Sequence, residues 1–336
     1  MRIVNLHHPA FVPTFRKLGH DVLAIGTTPD CDVHLDQPLS CKRFLEVLAA
    51  KDMRPDLILW CDACQPPWIF GFENLPAVVI GYSVDQYLNP WHVPYSAGFD
   101  AVFVAQKDYL PLFAAAPTNR PAAWMPLFCD PTVDRDPLIP RDIPVSFVGT
   151  LKSFANPGRK AFLDAFRAQA PLFAKQGAYP PIFARSQIVL NQSAAGELNF
   201  RLFQAMACGA AVLTEATHNG LADLFTPGLE CLTYTRGDAG HAAAVARATL
   251  ADPATLAAIA AAGKRKTLAR HTVLHRARQI LDTALHLAQT GAPAQRMAAI
   301  QTVHPEMRKA FAMLATDEGL PLPVSERQFF LDMSRP

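Results

Sequence analysis

Residues 188–230 read IVLNQSAAGELNFRLFQAMACGAAVLTEATHNGLADLFTPGLE. An apolar run at 188–190 enters a polar loop, a helix-like stretch covers 200–206, Cys208-Gly209 ends it, and a second apolar run follows at 210–213. Another polar turn, Thr217-His218-Asn219-Gly220, leads into a further amphipathic helix at 221–225. Two successive strand-to-helix turns loaded with polar groups describe the binding edge of an open α/β sheet, where ligands sit beyond the carboxyl ends of the strands. Helix starts at such an edge offer free N–H groups and a partial positive charge, which suits a phosphate.

The same alternation extends in both directions. Downstream lie an apolar run at 231–234, Ala-rich helices at 242–250 and 253–268, and an amphipathic helix at 271–288 with basic residues along one face. Upstream, a strand at 145–148 precedes a helix from Arg159 to about 173. Nearer the amino terminus, strands are expected at 2–6, 21–25, 56–60, 77–80 and 101–104, with helices at 11–18 and 44–50. The run LGHDVLAIG is a helix, a glycine stop and a strand. Strands alternating with helices imply parallel pairing and right-handed crossovers. The Pro- and charge-rich segment DPTVDRDPLIPR at 130–141 reads as the interdomain linker. The expected organisation is a Rossmann-like domain over 1–138, a second domain over 139–290, and a helical tail over 291–336 to which the sequence assigns no role.

A chain of 336 residues suggests two domains, and 50% apolar residues supply their cores. A net charge of +2 argues against bulk nucleic-acid binding, which needs a strongly basic face. No apolar run approaches the roughly 18–20 residues of a membrane span. MRIVNLHHPA reads as a first strand and not as a signal peptide. Seven scattered cysteines fit a reduced, cytoplasmic protein better than a disulfide framework.

The segments Ser146-Phe147-Val148-Gly149, 188–191, NFRLFQAMACG at 199–209 and 220–228 resemble the sugar-nucleotide half of two-domain, GT-B glycosyltransferases. They are similar to the group named after spore maturation protein B (CgeB-like), related to family 4 retaining glycosyltransferases. His271-Thr272 through Arg276 resembles the closing helix of that group, and 55–60, 81–85 and 99–104 fit its amino-terminal half. The resemblance implies an α/β fold of two Rossmann-like domains facing a cleft, with C-terminal helices. The second domain would hold a nucleoside-diphosphate sugar as donor substrate, and the first would bind the acceptor, whether glycan, protein or small molecule. Transfer would retain anomeric configuration, with no metal and no cofactor, in glycosylation of a protein or a cell-surface glycan. The stretch PLFAKQGAYPPIFARSQ, at 171–187, is short for the group, so one strand of the second sheet is expected to be missing.

Arg201 stands beside the 196–199 loop. By residue type it is a surface arginine pairing with Glu197 or Asp223; with the resemblance it is a diphosphate contact, in charge-assisted bonds of roughly 1.5–3 kcal/mol each. Asn199 opens the same helix. The group places a glutamate where this chain has Gln204, and that carboxylate accepts from the ribose hydroxyls. Glutamine keeps one acceptor oxygen and replaces the other by a donor. The group's first glutamate falls on Gly196, and the adjacent Glu197 becomes the candidate contact to the donor sugar. Gly149 and Lys152 follow a strand and read either as an ordinary turn or as a phosphate approach with a nearby cation. Asn219, Gly220 and Leu221 open a helix whose amides suit a phosphate.

On the acceptor side, Asp85 ends a strand and His92 lies in the same aromatic loop, DQYLNPWHVPY. Either could position or deprotonate an acceptor hydroxyl, with Asp62 a further candidate. Trp60, Trp68, Tyr82, Tyr87, Trp91 and Tyr95 are core residues or platforms for sugar faces. Cys61-Asp62-Ala63-Cys64 spells CxxC without a second pair, and Asp30-Cys31-Asp32 spells DxD in an early loop without support. His7-His8-Pro9 after the first strand lacks GxGxxG, which argues against a dinucleotide oxidoreductase. The reading is a glycosyltransferase. Its rivals are a non-catalytic nucleotide-sugar or glycan-binding scaffold and a sugar-nucleotide epimerase of the same fold.

Overall fold

The computed structural model describes residues 1–116, 120–152 and 156–335. The chain divides into two compact units, one of Met1–Met125 with Ala277–Pro336 and one of Pro126–Arg276. Each is built on a parallel sheet.

Unit 1 carries strands β1 (Arg2–His7), β2 (Asp21–Gly26), β3 (Val33–His34), β4 (Leu57–Cys61), β5 (Val78–Ser83), β6 (Ala101–Val104) and β7 (Ala122–Trp124). Their order is β3-β2-β1-β4-β5-β6-β7, with every neighbouring pair parallel. β4 and β5 are buried along their whole length, so their apolar runs are continuous and not alternating, as in sheets covered on both faces. Gly19 (φ +84°) closes the Val12–Lys17 helix. Its amide reaches the Arg16 carbonyl at 2.9 Å and the His20 amide the Phe15 carbonyl at 3.1 Å. This left-handed stop is cheap only for glycine.

Unit 2 carries β8 (Ile143–Val148), β9 (Phe173–Lys175), β10 (Ser186–Asn191), β11 (Ala211–Glu215) and β12 (Leu232–Tyr234), in the parallel order β12-β11-β10-β8-β9. Gly209 (φ +82°) repeats the helix stop after Phe200–Ala207. The segment expected to have lost a strand keeps one: β9 has three residues at the sheet edge, and the helix after it is a single turn, Pro180–Phe183.

Two boundaries differ from the sequence reading. Residues 130–141 are built into unit 2. Arg141 donates to the carbonyls of Phe183, Ser186 and Cys208 at 3.2, 2.9 and 2.9 Å, and Asp136 pairs with Lys264 at 3.0 Å. The tail from 291 is part of the unit 1 core, where Val303, Met307, Phe311, Leu314 and Phe330 are buried with Phe70, Phe72 and Tyr95. Arg296, fully buried, fastens it. Its guanidinium donates to the carbonyls of Glu73, Leu75 and Ala77 at 3.0, 2.6 and 2.9 Å and pairs with Asp100.

Each sheet reverses its winding once. In unit 1 the chain leaves β1 to one side for β2 and to the other for β4; in unit 2 it leaves β8 for β9 and then β10. Ligands of open parallel sheets bind at these switch points, which directs attention to the ends of β1 and β4 and of β8 and β10.

Candidate active site

The unit 2 switch point is cationic. Arg201, the second residue of the Phe200–Ala207 helix, reaches back over the strand ends. Its Nε donates to the Val148 carbonyl at 2.9 Å and its Nη1 to Asn191 Oδ1 at 2.7 Å. Asn191 is held in turn by a bond from its Nδ2 to Thr214 Oγ1 at 3.0 Å. The guanidinium lies 4.5 Å from the centre of the Phe147 ring, and Arg159 stands 5.6 Å from the same ring. Arg159 opens the Arg159–Arg167 helix and donates to Gln192 Oε1 at 2.8 Å and to the Thr150 carbonyl at 2.9 Å. Burial, and secondarily the charge of Arg159, lower the Arg201 pKa to about 10, which leaves it cationic at neutral pH. Glu197 acts on it only at longer range, and no carboxylate forms an ion pair with it among the described residues, so neither Glu197 nor Asp223 fills the surface-pair role. Arg201 Nη2 carries no hydrogen bond among the described residues, and the absent Cβ of Gly149 makes room for it.

A pocket of about 300 Å³ opens on this edge, lined by Gly149, Arg159, Tyr179, Glu197, Asn199, Arg201 and Gln204. Asn199 takes the extended N-cap conformation (φ −87°, ψ 170°) without capping the helix, and its buried Oδ1 has no hydrogen-bond partner. The half-buried Gln204 amide faces the pocket and has no partner among the described residues. Two polar side chains thus lack partners beside a cation with an uncommitted N–H₂. Buried polar groups are normally satisfied, so such a set marks a place for a ligand.

The remaining unit 2 candidates fall differently. Both Glu197 oxygens accept backbone amides of their own loop, Ala194 at 2.9 Å and Ala195 at 2.6 Å, so this carboxylate shapes the loop while lining the pocket. Lys152 is exposed and is not among the lining residues. Asn219 and Gly220 spend their amides on Thr217 Oγ1 at 3.3 Å and the His218 carbonyl at 2.6 Å. The helix they open, Leu221–Leu224, is one turn long, and Leu221 is buried. A single turn has little dipole to offer a phosphate.

The unit 1 switch point has the opposite character. Asp62, buried after β4, accepts the amides of Cys64, Val84 and Asp85 at 2.8, 3.0 and 2.8 Å. It ties β4 to the loop after β5. Imidazoles surround it. His7 is buried, with its pKa lowered to about 4 by desolvation against the opposing pull of Asp62. His8 is exposed, its Nδ1 accepting the Ala10 amide at 3.2 Å. His92 is buried, bonded through Nδ1 to Ser83 Oγ at 2.8 Å and packed edge-on against Trp91 and Trp60. Desolvation lowers its pKa, and its Nε2 has no partner. The site expected at Asp85 and His92 is therefore split. Asp85 is half-buried at the strand end, while His92 belongs to the packed layer beneath it. Trp60, Tyr82, Trp91 and Tyr95 are buried in that layer too, leaving Trp68 and Tyr87 half-exposed.

Arg159, the Phe147 ring and His8 escaped the sequence reading. The signal for all three was topological: Phe147 and His8 sit at or just past the carboxyl end of a switch-point strand, and Arg159 opens the helix that follows β8. The two rejected motifs have structural roles. Asp32 accepts from Arg16 at 2.5 Å and from the Ala24 amide at 2.7 Å. Burial raises the Cys61 pKa, and partial desolvation with the Asp85 and Asp62 carboxylates pushes that of Cys64 up to about 12, the reverse of a redox thiol. Among the described residues no group of three or more His, Cys, Asp or Glu side chains converges as for a metal ion, and no helix is long and apolar enough to cross a membrane.

Known proteins share this architecture. Residues 142–282 match a family model described as glycosyl transferase-like. No curated protein matches the sequence. A glycosyltransferase from Rickettsia africae superposes with a TM-score of 0.65 at 8% identity, covering 85% of this chain and 98% of that one. HepE from Anabaena, in complex with UDP and glucose, gives 0.64 at 16% identity over 85% and 100%. Sucrose-phosphate synthase from Thermosynechococcus elongatus gives 0.62 at 13% identity over 86% and 100%. The chain has the GT-B fold, and residues 142–282 of it are similar to the glycosyl transferase-like family model.

Proposed function

We propose that this protein is a glycosyltransferase that moves a sugar from a nucleoside-diphosphate sugar to a hydroxyl-bearing acceptor. The observation that carries the reading is the uncommitted Nη2 of Arg201, set beside Arg159 in a pocket that also holds the unpartnered Asn199 and Gln204 side chains. Arg201 and Arg159 bind the diphosphate and stabilise the charge that grows on it as the glycosidic bond breaks, in a site organised beforehand. Gln204 takes a ribose hydroxyl, and Glu197 holds its loop against the donor sugar. The UDP and UDP-glucose in the HepE complexes favour a uridine diphosphate donor among the alternatives. Unit 1 receives the acceptor at the ends of β1, β4 and β5, with Asp85 as the proton acceptor, His8 as a hydrogen-bond donor and the buried His92 as a support. We place the chain with the CgeB-like, family 4-related enzymes on the NFRLFQAMACG segment. With them come retention of configuration without a metal and action in the reducing cytoplasm, which suits its seven free thiols.

Thermal shift against UDP, GDP, TDP, ADP and inorganic phosphate tests the donor site. One nucleotide at about 100 times its Kd adds about 2.7 kcal/mol of stability, and phosphate alone adds none. A flat response to every nucleotide sinks the donor site. Gln204, in place of a carboxylate, favours the scaffold as second reading. That reading is distinguished by tight donor binding without release of nucleoside diphosphate over a broad acceptor panel. Epimerisation of the donor sugar without an acceptor would instead mark the epimerase.

A further inference from the structure

Unit 1 contains a second pocket, of about 340 Å³, where the Ile300–Thr316 and Val324–Met333 helices meet the segment 70–74. Its walls are apolar, chiefly Phe70, Met307, Phe311, Phe329 and Met333. Two polar groups in it lack partners. Glu73 is buried (7% exposed); its Oε1 accepts from Asn74 Nδ2 at 2.9 Å and lies 3.4 Å from His304 Nε2, while its Oε2 is buried without any hydrogen-bond partner. Arg308 is half-buried and forms no hydrogen bond or ion pair among the described residues.

His304, Met307, Arg308 and Phe311 follow the spacing i, i+3, i+4, i+7 and share one helix face. Arg308 therefore follows His304, the partner of Glu73, by about one helical turn, a rise of roughly 6 Å along the axis. A buried acceptor and a cationic donor, a helical turn apart beside an aromatic and thioether wall, are complementary to a zwitterion with an apolar body. An amine alone would leave Arg308 unpaired, and a carboxylic acid alone would leave Glu73 Oε2 unpaired. The volume lies at the small end of ligand pockets, which suits a molecule of amino-acid size. We propose that this pocket binds a free α-amino acid with an apolar side chain, its ammonium on Glu73, its carboxylate on Arg308 and its side chain against Phe70, Met307 and Phe311. The proposal does not depend on the transfer reading.

Isothermal titration calorimetry on the full chain tests it with four probes: L-phenylalanine, L-methionine, phenethylamine and 3-phenylpropionate. Both amino acids bind, and each half-molecule binds at least tenfold more weakly. Glu73→Gln and Arg308→Ala each weaken L-phenylalanine binding tenfold or more while keeping the wild-type circular dichroism. Met333→Trp, which puts a larger side chain on the pocket wall, abolishes it. The proposal is overturned if neither amino acid binds. It is equally overturned if Glu73→Gln and Arg308→Ala bind L-phenylalanine as tightly as wild type, or if a half-molecule binds as well as L-phenylalanine.

Discussion

Arg296 in unit 1 and Arg201 in unit 2 are both removed from bulk water, yet they do different work. Arg296 has three backbone carbonyls and the Asp100 carboxylate around it. Arg201 has two carbonyls and one amide oxygen at hydrogen-bonding distance, a ring face, a second arginine nearby and no carboxylate at ion-pair distance among the described residues. A guanidinium has five N–H donors and stays charged. Arg296 shares its donors among four partners and neutralises its charge within the fold; Arg201 keeps an N–H₂ group and a whole charge for something else. Residue type and burial do not separate a structural arginine from a binding one. The account of donors and counter-charges does.

The largest effect that tests this contrast is on stability. Arg296→Met leaves Asp100 buried without its partner and strips the carbonyls of Glu73, Leu75 and Ala77 of a donor. Breaking a buried pair from one side costs about 3–5 kcal/mol, read as a lowered midpoint in urea unfolding. Donor affinity of the folded fraction stays at the wild-type value. A loss below 1 kcal/mol would show that the tail is not fastened by this residue.

Arg201→Ala reverses the pattern. Charge-assisted bonds to a diphosphate contribute roughly 1.5–3 kcal/mol, so nucleotide affinity by calorimetry falls about 10- to 100-fold, with a smaller change in stability. Arg201→Lys does not restore it, because an ammonium cannot hold Val148 and Asn191 and still present a planar fork to phosphate. Undiminished affinity in Arg201→Ala would make the two arginines alike.

Much of the fold was legible in the sequence because it rests on local patterns. Continuous apolar runs, the Gly19 and Gly209 stops and strand–helix alternation each declare themselves within a dozen residues. The tail was opaque because its partners are distant: Arg296 bonds to residues some 220 positions earlier in the chain. The linker misled for a similar reason, since Pro and charge look solvent-facing until Arg141 finds the carbonyls of Phe183, Ser186 and Cys208. At the site, Arg201 and Gln204 could be singled out by resemblance, and Arg159 could not. Its place beside Phe147 follows from the winding of β8 and β10, which no short motif encodes.

The edges of the two sheets also differ in how they meet acid, and His7 gives the sharper handle. Its folded pKa is about 4 against about 6.5 when unfolded. The native state thus holds the ring neutral where the unfolded chain binds a proton. Its contribution is whole above pH 6.5 and is lost as pH falls toward 4. Between pH 7 and pH 5 this one group removes about 2 kcal/mol. His7→Asn tolerates the left-handed backbone found there (φ +67°) and has no proton to gain. Its stability relative to wild type should rise by about that amount over the interval, in urea unfolding at pH 7, 6 and 5. Parallel pH profiles for the two proteins would mean that the ring is protonated in the native state.

The smallest effect concerns Gln204, a position at which this chain departs from the glycosyltransferases it resembles. A half-buried amide facing the pocket without a protein partner can accept from one ribose hydroxyl and donate to the other. Gln204→Ala should then weaken nucleotide binding by about 1 kcal/mol, the net worth of a neutral hydrogen bond. Gln204→Glu should bind as tightly as wild type or somewhat more tightly, because a carboxylate accepts from both hydroxyls and charged acceptors make stronger bonds. The counter-effect is repulsion between that carboxylate and the diphosphate, and the arginine pair screens it. Comparing a nucleoside diphosphate with inorganic pyrophosphate isolates the ribose, since pyrophosphate affinity should be the same in wild type and Gln204→Ala. If all three proteins bind the nucleotide equally, the ribose lies elsewhere, and the pocket beside Arg201 recognises only the diphosphate.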